Sequence, residues 1–195
     1  MESLALMAER ASISLVSDLA MVKPHWYAIY TRARHEIRVA EELDARTVEH
    51  FLPLYSSVRR WKDRSVHITL PLFPGYVFVR LALEHRLRVL QIPSVVRLIG
   101  FGGLPTALPD EQVEILRSGL AEHLNAQPHP FLTIGRRVRI VRGPIAGFEG
   151  ILQRKKNSFR FVVSIELIQR AFAVEVNAAD VQSVHEPKRN LKFKT

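Results

Sequence analysis

Four cations gathered around one indole, Arg59, Arg60, Lys62 and Arg64 about Trp61, form the cluster in this sequence best suited to a specific chemistry. Long guanidinium and ammonium side chains reach phosphate oxygens, and an aromatic ring stacks on an unpaired base, so the combination fits a nucleic acid. The alternative is a solvated charged turn. Arg32 with Arg34, and His85-Arg86-Leu87-Arg88, are further basic groups facing either a partner or solvent. The balance of 28 Lys plus Arg against 19 Asp plus Glu leaves a formal charge of +9, which biases the chain toward a polyanionic partner such as DNA or RNA.

Catalytic chemistry is harder to find. The eight histidines, at positions 25, 35, 50, 67, 85, 123, 129 and 185, lack metal-ligand spacing. No Gly-rich phosphate loop precedes Lys-Ser or Lys-Thr, no Gly-x-Ser-x-Gly occurs, and no two carboxylates pair in an apolar setting. The expectation is therefore no enzyme, no cofactor and no metal. With no cysteine, disulfides, thiol nucleophiles and thiolate ligands are excluded, which fits a reducing, cytoplasmic setting. No run approaches the roughly 20 apolar residues of a membrane span. Residues 1–23 mix charges among apolar positions and read as a flexible extension rather than a secretory signal.

The elements that position these groups fall into two domains. Trp26–Thr31 reads as a strand, and His35–Thr47 as a helix with Ile37, Ala40 and Leu43 inward. Phe51–Arg59 and Ser65–Leu70 flank the basic cluster, which predicts a hairpin carrying it at the tip. Tyr76–Leu81 is apolar on both faces until Arg80, as in a covered central strand, and Val95–Ile99 is a further strand before the Gly100–Gly103 turn. Asp110–Leu120 reads as a helix: Pro109 sets its first turn, Asp110 and Glu111 suit its positive end, and Val113, Leu116 and Leu120 face inward. This gives an α+β domain over residues 24–120. The stretch 121–131, with two prolines and no period, reads as a linker. Five short β segments then crowd residues 132–185, the density of a small all-β barrel. Residues 186–195 form a basic tail, read as disordered and of non-specific phosphate affinity.

Two motifs make the pattern specific. Gly135-Arg136-Arg137-Val138-Arg139-Ile140 followed by Gly143-Pro144-Ile145-Ala146-Gly147-Phe148-Glu149-Gly150-Ile151 resembles the KOW motif, in which glycines supply positive φ and close packing at a chain reversal. Trp26-Tyr27-Ala28-Ile29-Tyr30-Thr31, with Pro71-Leu72-Phe73-Pro74-Gly75-Tyr76-Val77-Phe78-Val79 further on, resembles the N-terminal domain of NusG-type transcription factors. The words around Pro71–Pro74 look closer to the specialised RfaH/UpxY-like paralogues than to housekeeping NusG.

That resemblance implies a fold, an antiparallel sheet with flanking helices followed by an SH3-like KOW barrel, and a non-catalytic role in transcription elongation or antitermination. It implies that Tyr30, Phe73, Tyr76, Phe78 and Phe101 line a depression for the β′ clamp helices of RNA polymerase, the alternative being that they are core. His85, Arg86 and Arg88 would touch the β-subunit gate region. Arg32, Arg34, Arg59, Arg60, Trp61, Lys62 and Arg64 would face the non-template DNA strand. Leu167, Ile168 and Arg170 occupy the loop that binds ribosomal protein S10 or, less favoured here, Rho; apolar side chains at a loop are hard to explain by packing alone. The chain would act as a monomer, away from membranes, with its barrel swinging on the linker. Two other functions fit part of the pattern: a housekeeping factor acting with Rho, and a KOW-type RNA-binding or ribosome-associated protein. Within the barrel, Phe159, Phe161, Val162, Val163, Ile165, Phe172, Val174 and Val176 favour strands, so a helical C-terminal hairpin of the RfaH kind is not expected.

Overall fold

The computed structural model describes residues 22–61, 64–122, 124–129, 135–155 and 158–184. Lys62 at the hairpin tip, most of the N-terminal extension and the basic tail lie outside the described residues.

The N-terminal domain opens with β1 (His25–Thr31), followed by a Glu36–Ala45 helix. It continues through β2 (His50–Phe51), β3 (Leu54–Trp61), β4 (Arg64–Pro71), β5 (Tyr76–Leu81), β6 (Val95–Leu98), β7 (Gly100–Phe101) and β8 (Leu104–Pro105) to an Asp110–Ala121 helix. Four strands form an antiparallel sheet in the order β2-β5-β1-β6. Successive strand residues point to opposite faces, so the unbroken apolar runs Trp26–Tyr30 of β1 and Tyr76–Val79 of β5 demand cover on both sides. Tyr27, Ile29, Val77 and Val79 pack with Val39 and Leu43 of the first helix and with Val89 and Ile92. Trp26, Ala28 and Phe78 face the other way, toward Val113 and Leu116 of the second helix.

The first helix departs from the sequence pattern in one detail. Ala40 and Leu43 are buried as expected, together with Val39, but Ile37 is exposed and Glu36 is buried in its place at the start of the helix, its carboxylate accepting from the backbone N–H of Gly75 in the Pro74-Gly75 turn. The second helix starts at Asp110 as expected, with Pro109 as its extended N-cap. That helix is fixed to β1 by a short bridge from Trp26 to Leu108, and by the indole N–H of Trp26 donating to Glu114 Oε1 at 3.1 Å. Arg80 and Arg117 reach Glu49, Asp110 and Glu114 across the same corner.

β3 and β4 form their own two-stranded ribbon, in register from Leu54↔Pro71 to Trp61↔Arg64. It closes at its base with Leu72 N–H on the Pro53 carbonyl.

The C-terminal domain is β throughout, apart from short 3₁₀ turns. β9 (Gln127–His129), β10 (Arg136–Ile140), β11 (Glu149–Lys155), β12 (Ser158–Ile165), β13 (Arg170–Val176) and β14 (Val181–Ser183) form an antiparallel sheet ordered β14-β10-β11-β12-β13-β9. This is the small SH3-like unit, and no helical hairpin forms among the described residues. Within the stretch read as linker, Gln127–His129 adds an edge strand to β13, a place where the missing N–H of Pro128 is tolerated. Between β10 and β11 the chain reverses through Gly143 at φ +91° and Gly147 at φ +97°, conformations that only glycine adopts without strain.

The two larger sheets share one core. A single apolar core runs from Trp26, Phe73 and Phe78 through Val113 and Leu116 into Ile145, Phe148 and Phe172. The closest approach is at Gly119, where a Cβ would lie 2.9 Å from Ile145 Cγ2 and 3.3 Å from the Pro144 carbonyl oxygen. The absence of a side chain there lets the helix and the Pro144–Ile145 turn meet.

Candidate functional site

β1, β5 and the turn between β4 and β5 bring four of the five expected aromatics together. Tyr30 and Tyr76 are register partners on adjacent strands, with ring centroids 5.4 Å apart. Phe73 meets Phe78 edge-on at 5.8 Å, and Phe78 stacks on Phe51 at 6.2 Å. Phe51 is not among the residues expected from sequence; its signal there is only an aromatic opening a short strand. Phe101 is not part of the group. It stands on the β7–β8 hairpin, 68% exposed beside an equally open Leu104, and lines a cleft between the domains.

The geometry that places Tyr76 beside Tyr30 depends on Gly75. Its N–H donates to Glu36 Oε1 at 2.7 Å and its carbonyl accepts from Thr31 N–H at 2.8 Å, so the turn is held from both sides. Its φ is +86°, and a Cβ would come within 3.0 Å of the Tyr30 ring. Glu36 is thus a positioning residue missed by sequence reasoning. A glutamate in a first helical turn ordinarily answers the helix dipole, and nothing local indicates a bond to Gly75, 39 residues away.

Exposure separates the aromatics. Tyr30 is 38% exposed, whereas Phe73 and Phe78 are 1% exposed. Phe73 is covered by the C-terminal domain: Phe172 of β13 meets it edge-on at 6.0 Å, and Phe148 backs Phe172 at the same distance. The Arg170 guanidinium lies 5.6 Å from the Tyr76 ring centroid, within cation–π range. Ile168, expected at a loop without a packing reason, is buried in the shared core on the Glu166–Ile168 turn. Its apolar character is explained by that packing. Leu167 is partly buried beside it. Two surfaces expected to bind different partners therefore face one another.

The cationic groups lie elsewhere. Leu83 and Val89 anchor the His85–Arg88 segment on the opposite face of the sheet, where His85 and Arg88 line a cleft of about 380 Å³ with Glu49 and Arg80. Arg86 donates to the Leu83 carbonyl, and Arg88 exchanges hydrogen bonds with Arg46. Arg32 and Arg34 are exposed just beyond β1, Arg34 with φ 64°. Arg59, Arg60 and Trp61 are on β3 and Arg64 on β4, at the far end of the ribbon. Among the described residues no three His, Asp or Glu side chains gather into a metal site. No helix among them is long and apolar enough to cross a membrane. Burial, with the Asp110 carboxylate adding to it, raises the pKa of Tyr27, whose hydroxyl is buried without a partner.

Residues 24–117 match the family model described as transcription termination factor NusG. That stretch, just under half of the chain, is similar to the NusG family. The likeness continues beyond it. A NusG termination/antitermination protein of Helicobacter pylori (strain ATCC 700392 / 26695) is 24% identical over 172 residues, 82% of this chain and 98% of the relative. One from Yersinia pestis is 28% identical over 176 residues, 82% of this chain and 96% of its own. Among solved structures, one titled "Domain interaction in Thermotoga maritima NusG" superposes with a TM-score of 0.51 at 23% identity, over 85% of this chain and 99% of that one. It supports the NusG-like fold.

Proposed function

We propose that this chain is a bacterial transcription elongation and antitermination factor that binds RNA polymerase through its Tyr30, Phe73, Tyr76 and Phe78 face, and that the docked arrangement is its closed resting state. The observation that carries this is the pairing of Phe73 with Phe172. A buried aromatic cluster shared by two separate sheets, with a cation over its one half-open edge, is a surface that needs either a partner or a cover.

In the open state the aromatic face takes the β′ clamp helices. His85, Arg86 and Arg88, on the other side of the sheet, contact the β-subunit gate region. The domain then bridges the polymerase cleft and limits pausing. Arg32, Arg34 and the basic end of the β3–β4 ribbon face non-template DNA. Release of the C-terminal domain frees Leu167, Ile168 and Arg170 for ribosomal protein S10, with Rho the less favoured partner. Pro71-Leu72-Phe73-Pro74 and the Leu-Ile pair at 167–168 support an operon-specific role over a housekeeping one. The factor is a cytoplasmic monomer that catalyses no reaction. A KOW-type RNA-binding role accounts for the C-terminal domain but leaves the NusG-like stretch at 24–117 without a function.

Capture of polymerase by the full chain tests the assignment. Tyr30→Ala with Tyr76→Ala removes the two tyrosines that lie outside the buried core, so the fold is retained while capture is abolished. Undiminished capture by the folded double variant would reject the face as the polymerase site.

A further inference from the structure

The β7–β8 hairpin holds two large apolar side chains out in water. Its two-residue turn has Gly102 at φ +58° and Gly103 at φ +81°, the paired positive angles of a tight turn whose twist matches its strands. Phe101 and Leu104 flank that turn as register partners, so their side chains stand on the same side of the hairpin. They are the two most exposed large apolar residues among those described. Phe101 takes no part in the aromatic cluster of Tyr30, Phe73, Tyr76 and Phe78, so its exposure calls for a separate account.

Phe101 stands at the rim of a cleft of about 580 Å³, within the range of roughly 300–1,000 Å³ usual for ligand sites. The half-buried side chains of Ile115, Ile165 and Leu167 give the cleft an apolar interior. Its charged lining is three carboxylates, Glu111, Glu149 and Glu166, against the single guanidinium of Arg137. Glu149 is matched by Arg137 and Arg139. Glu111 and Glu166 are exposed, and among the described residues neither carboxylate has an ion pair. In a chain of net charge +9 this is a local reversal of sign. A phosphate backbone is repelled from such a place, and a cationic polypeptide is drawn to it.

We propose that this cleft is the docking site for an extended, basic segment of a partner protein, in which two large apolar residues are flanked by Lys or Arg. The apolar pair packs between the Phe101–Leu104 side of the hairpin and the interior formed by Ile115, Ile165 and Leu167. The flanking cations meet Glu111 and Glu166. One wall belongs to the second helix and the other to the six-stranded sheet, so the bound segment holds the two parts of the shared core together. Binding here does not depend on what the aromatic face binds. None of Phe101, Leu104, Glu111 and Glu166 belongs to the surfaces proposed above for polymerase, DNA or ribosomal protein S10.

The test uses a labelled hexapeptide, Lys-Lys-Phe-Leu-Lys-Lys, titrated with the full chain at low ionic strength and followed by fluorescence anisotropy. Glu-Glu-Phe-Leu-Glu-Glu and a short oligo-dT are titrated in parallel. The basic peptide binds saturably although its net charge has the same sign as that of the chain, and it binds more tightly than the acidic one. Glu111→Lys with Glu166→Lys weakens it by about tenfold and turns the preference toward the acidic peptide. Glu41→Lys with Glu175→Lys, which adds the same charge at exposed positions outside the cleft lining, leaves the affinity nearly unchanged. Phe101→Ser with Leu104→Ser keeps every charge and the fold, since both side chains are exposed, and also weakens the basic peptide by about tenfold. Absence of saturable binding would overturn the proposal, as would an equal loss in the Glu41 and Glu175 pair or no loss in the serine variant. Tighter binding of oligo-dT that the serine variant abolishes would assign the hairpin to nucleic acid instead. Self-association of the peptide-free chain that the serine variant dissolves would assign it to a second copy, and either result overturns the basic partner.

Discussion

Gly119→Phe separates docking from folding. Position 119 lies in the buried stripe of the second helix, at its contact with the Pro144–Ile145 turn. A Cβ there already meets Ile145 Cγ2 at 2.9 Å and the Pro144 carbonyl oxygen at 3.3 Å. The first neighbour is a side-chain tip that can shift; the second is backbone, and a ring extends the contact well beyond the Cβ. Overpacking of this kind costs about 1–3 kcal/mol when the surroundings cannot yield. Here they can yield in one way, by letting the domains part. The helix itself gains a few tenths of a kcal/mol when glycine is replaced, but that gain is present in open and closed states alike and drops out of their ratio. At 1.4 kcal/mol per factor of ten, the open:closed ratio rises about 5- to 150-fold. A partner that binds only the open state then gains affinity by the same factor, up to the limit set by the open fraction of the unmodified chain.

Two measurements check this. Small-angle scattering of a compact 195-residue chain gives a radius of gyration of about 16 Å, and the variant is larger by several Å with its secondary structure retained. Polymerase affinity rises by at least fivefold. An unchanged radius and affinity in a folded variant would refute the claim that the interface is held shut at Gly119.

The remaining predictions address positioning, electrostatics and nucleic-acid binding. Glu36→Ala strands the Gly75 N–H and lowers stability by about 1–3 kcal/mol; chemical denaturation reads the decrease, and a variant as stable as the parent would remove Glu36 from the support of the aromatic face. Tyr27→Phe deletes a buried hydroxyl without a partner, so thermal stability is unchanged or higher. The folded state also holds the Tyr27 proton more tightly than the unfolded chain, so this contribution is complete below the ordinary value of 10.0 and is lost as pH rises through the higher folded value. The phenylalanine variant loses that alkaline decline, and an identical pH–stability curve would contradict the assignment. Replacing Arg59, Arg60, Lys62 and Arg64 by Ser lowers the salt slope of DNA binding by about 0.7–0.9 for each phosphate that is no longer neutralised; an unaltered slope makes the ribbon a bystander.

Local pattern made most of the fold legible. Continuous apolar runs in β1 and β5 announced a sheet covered on both faces, and the glycine spacing between β10 and β11 announced the reversal found at Gly143 and Gly147. What stayed hidden depended on residues far apart in sequence. Glu36 takes the buried place expected of Ile37 and bonds Gly75, 39 positions away. Ile168 reads as a stray apolar loop residue because its packing partners belong to a core continuous with the other domain. Phe73 and Phe78 read from sequence as either site or core, and the docked arrangement makes them both: an outward-facing cluster of one domain that becomes interior once the second covers it.

That double role fixes how the two expected binding surfaces relate. Phe73 cannot meet a polymerase helix while Phe172 lies against it, and Ile168 and Arg170 cannot meet a second partner while they lie in the shared core and over Tyr76. Any ligand that takes either surface does so only in the open state, so each shifts the same equilibrium in favour of the other, and by linkage the coupling is reciprocal. Its size is bounded by the open fraction: if one chain in a hundred is open, a saturating first partner improves the second's apparent affinity by at most about a hundredfold, and Gly119→Phe, by raising that fraction beforehand, shrinks the gain. Cooperativity that disappears in the wedge variant, while both individual affinities rise, is the signature of this arrangement. Cooperativity that persists there would place the coupling in direct contact between the two partners.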